Sequence, residues 1–196
     1  MVTQGLFSPP TPPHHPALLL KASQPGRIRG TALEIFNHVR AKPRNADAIL
    51  SQSLRQARHL HSRERRFVAD SLYALIRYQT LLTHIIQSDA PEILWDAWLQ
   101  WQGLPVQQAL DIQTAVVNLQ ETLPLSEAFA IIGGFDLAIS EALCTTLGEQ
   151  AWSFLWASNE RAPVSLRINP KKASREMVQT HLQAQNIETV ALPSTP

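Results

Sequence analysis

The segment HSRERRFVADSLYALIRYQTLL, residues 61–82, sets Arg63, Arg65, Arg66 and Arg77 into an otherwise apolar run. Guanidinium groups donate paired hydrogen bonds to phosphate oxygens, and a tyrosine can stack on a base or donate its hydroxyl. Spacing decides whether these groups can act together. On a helix turning about 100° per residue, Arg63, Arg66, Asp70, Tyr73 and Arg77 fall within about 80° of one another, opposite Val68, Leu72, Leu75 and Leu82. The stripe runs roughly 15 Å from Arg66 to Arg77, and Arg65 lies off it. The plainer alternative is a solvated, salt-bridged face with Asp70 pairing Arg66. One carboxylate cannot neutralise three arginines, which tilts the reading towards RNA contact.

Further cations stand nearby in sequence: Arg27 and Arg29 in PGRIRG, and Arg40, Lys42 and Arg44 in VRAKPR. Charge is segregated along the chain. Residues 21–80 hold 12 Lys/Arg against 4 Asp/Glu, residues 81–160 hold 10 Asp/Glu and no Lys or Arg, and residues 161–196 hold 5 against 2. Such asymmetry suggests a polyanion-facing part beside a differently employed one. Tertiary folding that interleaves the segments would cancel the field.

Other chemistry finds no constellation. Cys144, in EALCTTLG, has no candidate base beside it in sequence and reads as a small buried hydrophobe. His59 and His61 are two apart and share no helix face; His14 and His15 lie among prolines without further ligands. Gly133–Gly134 reads as a break between helices, not a phosphate loop. No carboxylates stand out as an acid/base pair. No catalytic, cofactor-binding or metal-ligating residue is therefore expected. One cysteine excludes an internal disulfide, and no apolar run approaches the ~20 residues of a membrane span. ALLL, residues 17–20, is too short for a signal-peptide core. A soluble, reducing, cytoplasmic setting is expected.

The elements that must position these residues are mostly helical. Residues 1–26 carry six prolines and read as a disordered or loosely docked leader. TALEIFNHVR places Ala32, Ile35, Phe36 and Val39 at helical spacing, and NADAILSQSLRQARHL aligns Leu50, Leu54 and Ala57 after Asn45 as N-cap. The long helix through residues 61–87 is expected to start on Ser62. Breaks at Pro91, Gly103–Pro105, Pro124 and Gly133–Gly134 divide further helices. The Trp95, Trp98 and Leu99 stripe and the Trp152–Trp156 pair read as packing surfaces. VSLRIN (164–169) and IETVAL (187–192) alternate as half-buried strands about a helix opened by Ser174, a single β-α-β unit with an unfinished sheet.

RGTALEIFNHVR…ADAILSQSL, RERRFVADSLYALIRYQTLLTHII and NERAPVSLRINPKKASREMVQTHLQAQNIETVALPSTP, in that order, resemble the N-terminal part of the RsmB/Sun/NOP family. These are S-adenosylmethionine-dependent rRNA and tRNA cytosine-C5 methyltransferases. The resemblance spans about residues 27–90 and 137–196; residues 91–136 do not carry the family's later helical pattern. It implies a mainly α fold: a NusB-like helical RNA-binding bundle followed by a short, incomplete β-α-β segment. The implied division is a leader over 1–26, the NusB-like domain over 27–135, a helical connector over 136–162, and the start of a small ferredoxin/RRM-like α/β domain over 163–196. It also places Arg167, Asn169, Lys171 and Lys172 on the RNA-facing side of the second domain. The family's PGGK-like cofactor loop and its two catalytic cysteines in PC contexts have no counterparts here; Cys144 is not preceded by proline. S-adenosylmethionine is thus expected of the full-length family and not of this chain.

The leading expectation is RNA recognition, of rRNA, by a monomer that uses neither membrane nor metal and leaves the chemistry to a catalytic core. A NusB-like interaction module with a regulatory role is the alternative, its acidic, Trp-bearing stretch serving as docking surface. An independent small enzyme is the third, which S-adenosylmethionine binding by this chain would revive.

Overall fold

Residues 16–105, 110–159 and 164–192 are described in the computed structural model. The helices are α1 Pro16–Ser23, α2 Arg27–Ala41, α3 Ala46–Gln56, α4 Ser62–Ile86, α5 Pro91–Trp101, α6 Ile112–Thr122, α7 Leu125–Gly133, α8 Leu137–Leu147, α9 Ala151–Asn159 and α10 Arg175–Gln183. Contacts divide the chain between Glu160 and Arg161. The first unit holds α1 to α9; the second holds α10.

In the first unit α4 is the centre. Its residues at three- and four-residue spacing, Phe67, Val68, Leu72, Leu75, Tyr78, Leu81 and Leu82, are all buried, against α2, α3, α5 and α7. Each such side chain removed from water contributes about 1.5–3 kcal/mol. Trp95 and Trp98 are wholly buried on α5. Trp95 meets Phe67 edge-on at 6.2 Å, and Trp101 bridges Tyr78 and Trp98 at 5.0 and 5.6 Å. Trp152 and Trp156 stack on one another, and Trp152 lies against Phe129 of α7. The tryptophans pack helices together.

Four expectations need correction. The Pro-rich leader is not loose throughout: α1 forms over Pro16–Ser23 and buries Leu19 and Ala22. The buried Trp95 indole N–H donates to the Ala22 carbonyl at 3.0 Å, satisfying one of the carbonyls that a helix end leaves open. Residues 1–15, with His14 and His15, lie outside the described residues. The cap of α4 is His61, not Ser62, because Glu64, three residues on, accepts from the His61 backbone N–H at 3.0 Å. Asn45 stands at the N-cap position of α3 without a side-chain capping bond, and the chain enters through the tight turn Pro43–Asn45.

The fourth correction concerns the second unit. α10 forms as expected, with Ser174 Oγ accepting from the Met177 N–H at 3.2 Å. The flanking segments 164–169 and 187–192 are not strands, so no β-α-β unit is formed among the described residues. A strand exists only through ladder bonds to a neighbour, and here Val164 and Val190 remain 83% and 88% exposed.

Gly133–Gly134 is the expected break, with a further purpose. Gly134 ends α7 at φ +69°, and a Cβ there would run into the Arg77 carbonyl of α4. Gly134→Ala should therefore cost about 2 kcal/mol or more, adding a backbone collision to the left-handed penalty. Gly30→Ala, inside α2 with open space around it, should stabilise by about 0.5–1 kcal/mol. Urea denaturation of the two variants checks both signs.

Candidate nucleic-acid interface

The buried side of α4 leaves its opposite side to solvent. Arg63, Arg66, Tyr73 and Arg77 are all exposed there, on the stripe that helical spacing predicts. Their neighbours differ. Arg66 Nε lies 3.7 Å from Asp70, with both side chains open to water, a pairing worth at most about 1 kcal/mol. The Tyr73 hydroxyl donates to Asp47 of α3 at 2.8 Å. That bond raises the phenol's pKa, with burial and the Asp47 charge adding in the same direction. Arg77 Nη1 donates to the Ser158 carbonyl in the last turn of α9 at 3.3 Å, where a cation suits a helix C-terminus.

The cations nearer the N-terminus are differently employed. Arg29 grips Asp96 of α5 through both carboxylate oxygens, the second at 3.0 Å. This bond, more than the opposing burial, raises the guanidinium's pKa. Arg40 donates to the Asp89 carbonyl and carboxylate at 2.7 and 3.2 Å, while lying over the Phe36 ring. Arg27 reaches Glu64 at 2.7 Å. These three arginines tie α2 to the start of α4, to α5 and to the turn before α5. Lys42 and Arg44 are exposed in the α2–α3 connection.

In the second unit Arg167, Asn169, Lys171 and Lys172 are exposed. Asn169 Oδ1 accepts from the Lys171 backbone N–H at 3.0 Å, which folds the turn that carries both lysines.

Glu64 is the residue that sequence reasoning missed. It is 4% exposed, and burial opposes its ionisation, but the His61 N–H and the Arg27 guanidinium outweigh that and hold its carboxyl below the usual value. The signal was a glutamate three residues after the cap. Cys144 is buried in α8, and burial raises its thiol pKa, as befits a packed side chain. Trp95 and Trp98 of the tryptophan-bearing helix are fully enclosed and pack in the core, while Ile93 on the same helix is exposed. Among the described residues no group of three His, Cys, Asp or Glu could hold a metal ion, and no helix is long and apolar enough to cross a membrane.

Residues 139–196 match the family model for the ferredoxin-like domain of RsmF/B-like methyltransferases. The match supports membership of the RsmB/Sun family for this part of the chain. It begins inside α8, well before the division at Glu160, so α9 and most of α8 share a sequence family with the second unit while packing in the first. No curated protein and no solved structure matches the chain.

Glu64 gives the stability of the fold a pH signature. Its folded carboxyl titrates below its unfolded value of about 4.3. The stability it supplies is therefore full above that value and is lost as pH falls through the folded one. Glu64→Gln should cost about 1–2 kcal/mol near neutral pH. The gap from wild type should narrow as pH falls below that unfolded value. Urea titrations across that range measure it.

Proposed function

We propose that this chain is the RNA-recognition part of an S-adenosylmethionine-dependent rRNA cytosine-C5 methyltransferase, acting in the cytoplasm as a monomer. The observation that carries the reading is the family match over residues 139–196. The α4 stripe supports it. Arg63, Arg66 and Arg77 present guanidiniums along one exposed face, with Tyr73 between them, and α4 belongs on this reading to a NusB-like bundle. Lys42 and Arg44 extend the surface, and Arg167, Asn169, Lys171 and Lys172 add a second contact region. Arg27, Arg29 and Arg40 support the fold and take no direct part, because acidic partners already hold them. Methyl transfer, and the cofactor it needs, belongs to residues other than these.

The reading is tested with a labelled small-subunit rRNA hairpin at about 50 and about 200 mM salt, where a few phosphate contacts cost roughly one to three orders of magnitude in affinity. Wild type should show that loss. Arg66→Ala/Arg77→Ala should bind far more weakly at the lower salt, with its melting temperature recorded because Arg77 also touches α9. Salt-independent binding, or equal inertness of wild type and variant, would overturn the proposal in favour of a regulatory module that docks on protein.

A further inference from the structure

Between α2 and α3 runs a groove of about 450 Å³, inside the range of about 300–1,000 Å³ that small ligands occupy. Its floor is apolar: Ile35 is buried and Ile49 half-buried. Its walls are exposed and polar, Glu34 and His38 from α2 facing Gln52 and Gln56 from α3. The wall residues recur at three- and four-residue spacing on both helices, so each helix turns one polar face towards the other.

The chemistry fits a flat, uncharged ring with donors and acceptors on its edge. Side-chain amides and imidazoles offer both kinds of group, and the apolar floor suits the ring itself. Glu34 would repel a phosphate drawn inside but can accept from an amino group. Phosphates are catered for outside. The Tyr73–Asp47 bond sets the α4 stripe beside the first turn of α3. Arg44 and Lys42 occupy the connection just ahead of that turn, and Lys42 lines the groove. Cations thus lead from the stripe, around the start of a helix about 10 Å across, to the groove mouth.

We infer that the α2–α3 groove takes one unstacked nucleobase of the RNA whose backbone lies on the α4 stripe. The inference rests on the RNA reading above and adds where sequence is read, since phosphate contacts position and base contacts specify.

The test places 2-aminopurine at successive loop positions of the labelled hairpin. With wild type, one position should brighten on binding as its base leaves the stack. Gln52→Ala/Gln56→Ala should abolish that brightening and weaken binding about ten-fold, with the salt slope unchanged because phosphate contacts remain. Ser53→Trp, which fills the groove without removing a charge, should do the same. If both variants bind and brighten as wild type does while Arg66→Ala/Arg77→Ala fails, the groove inference falls and the stripe stands. If wild type itself shows no salt-dependent binding, both fall together.

Discussion

A long helix can bury only part of its circumference, and α4 commits that part early. Once Phe67, Leu75 and Leu82 enter the core, the 3.6-residue repeat leaves Arg63, Arg66, Tyr73 and Arg77 no direction but outward. The enclosed tryptophans of α5 and the tip of α7 lock this orientation. Gly134 lets α7 approach until backbone meets backbone at Arg77, so the far end of the stripe is held by main chain, which does not change rotamer.

The charge segregation so plain in the sequence survives only partly in three dimensions. Arg29 with Asp96 and Arg40 with Asp89 join the basic stretch to the acidic one, removing those cations from the outer field. Among the described residues the stripe on α4 meets carboxylates at Asp70 and Asp47 alone. Counting charges could not separate the two fates, because pairing depends on which helices become neighbours.

Legibility followed the range of the forces involved. The helical stretches of α2 and α4, the packed tryptophans, the cap at Ser174 and the burial of Cys144 were all readable from local pattern. The His61 cap was missed because serine outranks histidine in general preference, whereas Glu64 decides the local outcome. α1 was missed because the helix is held through Trp95, far away in sequence. The strands were over-read, since alternation describes a face while a ladder requires a partner. The groove between α2 and α3 went unnoticed because its residues are ordinary polar ones, informative only once two helices set them opposite each other.

Among the described residues of the second unit, 164–192, none is buried. The heat capacity of unfolding comes from apolar surface newly hydrated, and this segment has little left to hydrate. The heat-capacity step on unfolding the chain would therefore come chiefly from α1 to α9, with the turn at Asn169 adding little to it.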